Sequence, residues 1–392
     1  MKDFSFFIPT HFEFGHGAEE RAGELCAALG ATRVLMVYGR TFAVKSGLVE
    51  RVRASLKRAR IHTLELGGVK PNPTDTLVYK GIRRCRDAHV DFVLAVGGGS
   101  VIDTAKAIAA GVPYEGDFWD FMTGDATPAS ALKVGVVLTI AASGSESSNS
   151  CVITQDKTNK KRSLNHECIR PVLSIMNPDL TCSVPPFFTA CGATDIMAHV
   201  FERYFTNEPN NDVTDRLCEA LLSSVVRAMP MVLYEPHNYD ARAELMWAGT
   251  LAHNNTVGVG RVSDGASHKI AHEMGGIYDI VHGAALAIIF PAWMRYQLEH
   301  HDPTRLVQLA VRVWGCDMDF SNPKRTALNG IDRFEQFLRD IGMPVRLHEV
   351  GLSHSDIFII SQSVKRDSEG LVGNFTRLDT FAIEEILRIA ER

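Results

Sequence analysis

The chain has 392 residues, 45% of them hydrophobic and 22% charged, with a formal net charge of −5. That length exceeds one typical core and predicts two domains of ordinary globular composition. The acidic balance leaves no basic stripe for nucleic acid, and no uninterrupted apolar run reaches the roughly 18 residues that a membrane span needs. The first residues, MKDFSFFIPTHFEFG, lack the charged and then apolar pattern of a signal peptide. Eight cysteines (26, 85, 151, 168, 182, 191, 218 and 316) are scattered without a CxxC pair. Such scatter argues against a zinc ribbon or a disulfide scaffold and predicts a reduced, cytoplasmic protein.

In chain order, RVLMVYG (33–39) reads as a buried strand, and the stretch through VERVRASLKRAR as a helix. HTLELGG (62–68) is a second strand, and Pro71-Asn72-Pro73 a turn before the helix TDTLVYKGIRRCRDA. DFVLAVGGGS is a strand ending in glycines, VIDTAKAIAAG a helix, and KVGVVLTIAAS (133–143) another apolar strand. Strands rich in Val and Leu alternating with helices predict a parallel sheet covered on both faces. From about residue 185 the patterns are long and helical, as in DRLCEALLSSVVRAM, ARAELMWAGTLAHNN and IDRFEQFLRDIG. The expected division is an α/β domain over 1–184 and an all-α domain over 185–392.

Gly97-Gly98-Gly99-Ser100 follows a strand and opens a helix, where glycines let the backbone approach a pyrophosphate and the helix N-terminus offers N–H donors. It is not the Rossmann fingerprint, since Ile102 stands where the third glycine would be. Taken alone, the motif reads first as a tight turn. Ser143-Gly144-Ser145-Glu146 is a second candidate ligand loop at a strand's C-terminal end, or a series of N-capping serines.

Asp195 and His199 are four apart in GATDIMAHVFERYF and share one helical face. His268 and His272 are also four apart; Gly275 and Gly276 are expected to break that helix, and His282 follows on the return. One carboxylate with three imidazoles (Asp195, His199, His268, His282) suits a borderline divalent metal and can leave a coordination position open. Spacing alone leaves these side chains between a metal centre and unrelated core or surface histidines.

FGHG (14–17), KPNPT (70–74), AVGGGSVIDTAKAIA (95–109), ASGSE (142–146), NPDLT (177–181), ATDIMAHVFE (193–202) and the 265–291 segment together carry a resemblance. In order and spacing they are similar to the iron-containing (group III) alcohol dehydrogenases, over essentially the whole chain. Within that family the chain looks most like the butanol dehydrogenase and broad-specificity aldehyde reductase branch. The resemblance implies a dehydroquinate synthase-like fold, with an active-site cleft between an N-terminal nucleotide domain and a helical C-terminal domain. It implies Asp195, His199, His268 and His282 as metal ligands and His272 as a non-ligand histidine near the nicotinamide that helps move the proton. Gly97, Gly98 and Ser100 match the pyrophosphate turn, and Thr139, Lys161 and Leu180 match nucleotide contacts. The family name implies iron(II); zinc, which binds such ligands more tightly by the affinity series, is the alternative.

NAD-preferring relatives close the first strand with an acid that binds the ribose 2′-OH. Here Gly39 stands in that place with Arg40 after it, which favours NADP(H) over the alternative NAD(H). The loop TIAASG (139–144) departs from the threonine-rich TTAGTG of relatives, so its contacts on the nicotinamide side are expected to differ. The expected activity is hydride transfer between NADP(H) and a short-chain alcohol or aldehyde, in a homodimer or higher homo-oligomer. The alternatives are an NAD-dependent polyol dehydrogenase of glycerol type and a non-catalytic nucleotide-binding protein.

Overall fold

The computed structural model describes residues 1–40 and 42–392. The chain forms two compact units. The sheet unit comprises Phe7–Val184 and His237–Asn254; the helical unit comprises Met1–Phe6, Pro185–Pro236 and Asn255–Arg392.

The sheet unit carries strands β1 (His11–Phe14), β2 (Arg33–Gly39), β3 (His62–Val69), β4 (Phe92–Gly97), β5 (Lys133–Leu138), β6 (Ser150–Thr154), β7 (Lys161–Asn165) and β8 (Leu173–Met176). Six form one sheet in the order β1-β8-β5-β4-β2-β3, every pairing parallel, and β6 and β7 make a separate antiparallel pair. Its helices are α1 (Ala22–Ala28), α2 (Phe42–Lys45), α3 (Leu48–Arg58), α4 (Asp75–Asp87), α5 (Gly99–Gly111) and α6 (Trp119–Thr123). Next in chain order come α7 (Pro186–Tyr204) and α8 (Asp212–Tyr234) of the helical unit, then α9 (Tyr239–His253), which packs in the sheet unit. The remainder of the helical unit holds α10 (Ala266–Tyr278), α11 (His282–His300), α12 (Thr304–Arg312), α13 (Pro323–Asp340), α14 (His354–Ser363) and α15 (Thr380–Glu391).

The period of two along each strand explains why the strands look apolar throughout. Leu35, Val37, Val93, Ala95, Val134 and Val136 join one core with α4 and α5 through Val78, Ile82, Ile102 and Ile108. Their neighbours Val34, Met36, Phe92, Leu94 and Val96 join a second core with α1 and α3 through Ala22, Cys26, Val52 and Leu56. Both sheet faces are dry, so neither set can be polar.

Two expected boundaries move. The strand expected over 133–143 ends at Leu138, because Leu138 pairs with Gly97 and Met176, the last residues of β4 and β8. Beyond it the ladder has no partner, and the chain leaves the sheet. The helix break expected at Gly275 and Gly276 does not occur, since α10 runs through both to Tyr278 and is closed by Asp279 in the left-handed region (φ 56°). Packing of buried Ile270, Ala271 and Met274 outweighs the roughly 1 kcal/mol that a helical glycine costs against alanine. All eight cysteines are free thiols.

Among the described helices, α8 is long and apolar enough, by length and composition, to cross a membrane. Within the helical unit, however, its polar side chains are engaged in a dense ionic cluster. Asp215 pairs with Arg261 at 2.9 Å and Arg305 at 2.5 Å, and accepts from Gln308 at 3.1 Å. Glu219 pairs with Arg312 at 3.0 Å and accepts from the Tyr204 hydroxyl at 3.1 Å. Burial opposes the Asp215 charge, but its hydrogen bonds from Arg305 and Gln308 and the Arg261 charge outweigh that and hold its carboxyl below the ordinary 3.8. A depressed folded value stabilises the fold at pH above the ordinary value and ceases to do so as pH falls through the folded one. Asp215→Asn should therefore lower stability at neutral pH and flatten its loss below pH 3.8, as read by urea unfolding across pH. An acid limb as steep as that of the parent would overturn this assignment.

Candidate functional site

Three helices of the helical unit bring the expected metal-binding side chains together. Asp195 and His199 lie one turn apart on α7, His268 is in the first turn of α10, and His282 is the first residue of α11. Around Asp195 Oδ1, the Nε2 atoms of His199, His282 and His268 stand at 3.3, 3.7 and 3.9 Å. Ligand atoms bound tetrahedrally at about 2.1 Å from one ion would be roughly 3.4 Å apart. The carboxylate and the His268 and His282 nitrogens lie within 4.8 Å of one another. Asp195 and His199 are buried, and the His199 and His268 rings stack at 4.7 Å.

The donor chemistry fits a divalent ion. Asp195 Oδ1 and His268 Nε2 are shut from water with no hydrogen-bond partner among the described residues. At 3.9 Å they are too far apart to bond each other. Two buried polar atoms turned toward one point and left unmatched are costly unless something between them supplies charge. The local field favours a cation: burial opposes the His268 imidazolium, yet the Asp195 and Glu202 carboxylates push its pKa up to about 9.

Close packing holds α11 in place. A Cβ on Gly283 would lie 2.2 Å from the Cys191 carbonyl oxygen and 2.6 Å from its Cα, so only glycine lets α11 press its first turn onto α7. Gly283→Ala should cost about 1–3 kcal/mol through overpacking against backbone and displace His282 along with α11. Thermal unfolding of the metal-free protein and a zinc titration test this together. Unchanged stability and unchanged zinc affinity would refute it.

His272, four residues after His268, lies beside the same cluster. Its ring lies 5.1 Å from that of His282 and 6.4 Å from that of His268. One residue of the centre had no role in the sequence reading. Glu202, buried on α7 three residues after His199, accepts a hydrogen bond from His268 Nδ1 at 2.7 Å. The i, i+3 spacing was the available signal, but a glutamate one turn from a histidine is commonplace on helices.

The sheet unit holds the glycine turn. β4 ends at Gly97 and α5 opens at Gly99. A Cβ on Gly97 would lie 2.5 Å from Val101, and one on Gly98 would lie 2.4 Å from Ile140, so the turn leaves no room for side chains. Ser100 is in the first turn of α5, and the Thr139 N–H donates to the Gly97 carbonyl at 3.2 Å. Lys161 Nζ donates to Asn72 Oδ1 at 3.1 Å, and Leu180 is buried with the second core. At the end of β2, a Cβ on Gly39 would meet nothing closer than 3.7 Å, while Arg40 Nε donates to the Gly68 carbonyl at 3.2 Å.

The loop after β5 leads into β6 rather than into a helix, so its serines do not cap one. Instead, Lys106 Nζ on α5, fully buried, donates to Ser145 Oγ at 2.9 Å and to the Ser148 and Ser150 carbonyls at 2.9 and 2.8 Å. Asp103 accepts from Ser145 Oγ at 2.7 Å and from the Val152 N–H at 3.0 Å. Burial pulls the Lys106 ammonium down to about 8, against the opposing pull of Asp103. Asp103 and Lys106 thus lash the loop to the helix that the glycine turn opens.

Two family models account for nearly all of the chain. Iron-containing alcohol dehydrogenase matches residues 9–178, and the C-terminal region of the Fe-containing alcohol dehydrogenase family matches 189–390. The chain belongs to the iron-containing alcohol dehydrogenase family. This dehydrogenase is 40% identical to the probable NADH-dependent butanol dehydrogenase 2 of Bacillus subtilis, over 99% of each chain. It is 35% identical to the NADPH-dependent aldehyde reductase YqhD of Escherichia coli, over 91% of each. A solved structure of NADH-dependent butanol dehydrogenase A from Thermotoga maritima superposes with a TM-score of 0.96 at 35% identity, covering 100% of this chain and 99% of that one. The expected parallel sheet and helical C-terminal region are those of the family's solved structures, and the enzyme is an oxidoreductase acting on alcohols and aldehydes.

Proposed function

We propose that this dehydrogenase interconverts short-chain alcohols and aldehydes with NADP(H), using iron(II), or zinc in its place, held by Asp195, His199, His268 and His282. The convergence of one buried carboxylate oxygen and three imidazole nitrogens at 3.3–3.9 Å carries this reading. When bound, the ion supplies Lewis acidity at a carbonyl or alkoxide oxygen, and the nicotinamide supplies or takes up the hydride.

The chain's own residues do the rest. Asp195 brings one negative charge and the histidines none when neutral, so the ligand set offsets only half of a divalent charge and leaves the centre electrophilic. His272, at 5.1 Å from the His282 ring, accepts or returns the proton directly or through water. Gly97, Gly98 and Ser100, with the N-terminus of α5, hold the pyrophosphate by backbone N–H groups and the helix dipole. Thr139 steadies that turn through the Gly97 carbonyl, and Lys161 and Leu180 complete the nucleotide contacts. The working unit is a homodimer or higher homo-oligomer, placed in the cytoplasm.

For cofactor choice, Gly39 removes the carboxylate that would repel a 2′-phosphate, and Arg40 offers a guanidinium to it. The NADH-dependent names of the Bacillus and Thermotoga relatives favour NAD(H) as the second reading. The first test follows NADPH and NADH oxidation with butyraldehyde on metal-stripped protein, before and after iron(II) or zinc is restored. Activity should return only with metal and be stronger with NADPH; turnover without metal, or none with any metal, would defeat the reading. Because Gly39 has room for a side chain, Gly39→Asp should fold and weaken NADPH binding about 10- to 100-fold, the worth of a charged contact. An unchanged ratio of NADPH to NADH efficiency would remove Gly39 from cofactor selection.

A further inference from the structure

The geometry points to Glu202 as the positioning residue that sets the tautomer and donor strength of His268. Its carboxylate gathers three donors from the start of α10. Glu202 Oε1 accepts from His268 Nδ1 at 2.7 Å and from the His268 backbone N–H at 3.1 Å, and Oε2 accepts from the Gly265 N–H. Glu202 is buried, so these contacts are dry and strong.

Two consequences follow for the imidazole. In the neutral ring, with its one proton held on Nδ1 by the carboxylate, Nε2 is presented as a lone pair. That atom lies 3.9 Å from Asp195 Oδ1 and has no hydrogen-bond partner among the described residues. The negative charge behind the ring also pushes electron density toward Nε2 and makes it a better donor. The backbone contacts add a mechanical effect. α7 carries Asp195, His199 and Glu202 on successive turns, and Glu202 grips the first turn of α10. The spacing between ligands from two helices is thereby fixed by a residue that coordinates nothing itself. A neutral amide at this position could accept from Nδ1, but its NH2 group would face the Gly265 N–H and its charge would be gone.

This inference rests on the ligand set proposed above, and the test separates the two. Full-length parent, His268→Ala, Glu202→Gln and Glu202→Asp are compared for zinc affinity by chelator competition. Their cobalt(II) forms are compared by visible absorption, and their metal-free forms by thermal unfolding. The parent should bind one metal per chain, and His268→Ala should lose it or show an altered cobalt spectrum. Glu202→Gln should bind zinc about 10- to 100-fold more weakly with a shifted cobalt spectrum. Glu202→Asp, which keeps the charge but shortens the reach, should also bind more weakly and carries the test if the glutamine variant does not fold. A parent that binds no metal overturns the ligand set itself. A parent that binds, with both Glu202 variants matching it in affinity and spectrum, overturns the role of Glu202 alone. Reduced metal-free stability at unchanged affinity and spectrum would mark Glu202 as a helix tie only and overturn the inference equally.

Discussion

A carboxylate oxygen sealed from water cannot be left without a positive counterpart, and Asp195 Oδ1 imposes that requirement on the whole helical unit. Three imidazole nitrogens surround it, drawn from α7, α10 and α11. To meet there, α10 must start beside Glu202 and α11 must start against the backbone of Cys191, where only Gly283 fits. The packing of these helices and the chemistry at their meeting point are therefore one problem. The ionic cluster of Asp215 and Glu219 on α8 serves the same end from farther out, because Arg261 links it to the segment that leads into α10.

The sheet unit solves a different constraint. A phosphate-binding turn needs bare backbone, and bare backbone needs neighbours that hold it without touching the ligand side. Gly97 and Gly98 are hemmed in by Val101 and Ile140. Behind them Lys106 spends all of its donors on the loop after β5 and the first residue of β6. A buried ammonium gives that loop several directional bonds at once, where an apolar side chain would give none, at the cost of a charge removed from water.

Much of this was legible in the residues. β2 spans 33–39 as its Val/Leu/Met run suggested, and β3 and β4 fall within a residue or two of their apolar stretches at 62–68 and 91–97. Burial on both faces gives such strands an unmistakable composition. The i, i+4 pair of Asp195 and His199 was visible because helix periodicity is local, whereas the meeting of His268 and His282 with them is tertiary and was supplied by family resemblance. What escaped was decided by partners distant in sequence. Nothing within 133–143 says that β4 and β8 stop at Gly97 and Met176, and nothing around Gly275 says that burial will carry a helix through two glycines. Glu202 and Lys106 went unassigned because their partners lie at least 63 and 39 residues away, and the character of a glutamate or lysine on a helix depends on what the fold puts beside it.

The route of the chain has a bearing on how the molecule is made. α9 belongs with the sheet, where Met246 joins the core that contains α4 and α5 and Thr250 donates to the buried Glu146 at 2.5 Å. During synthesis the strands through β8 emerge well before α9 does, with α7 and α8 between them. For that interval the nascent sheet carries an open apolar seat and a Glu146 side chain without its Thr250 donor. The first compact unit is thus completed by a late segment, and co-translational folding of the two units is interlocked rather than sequential.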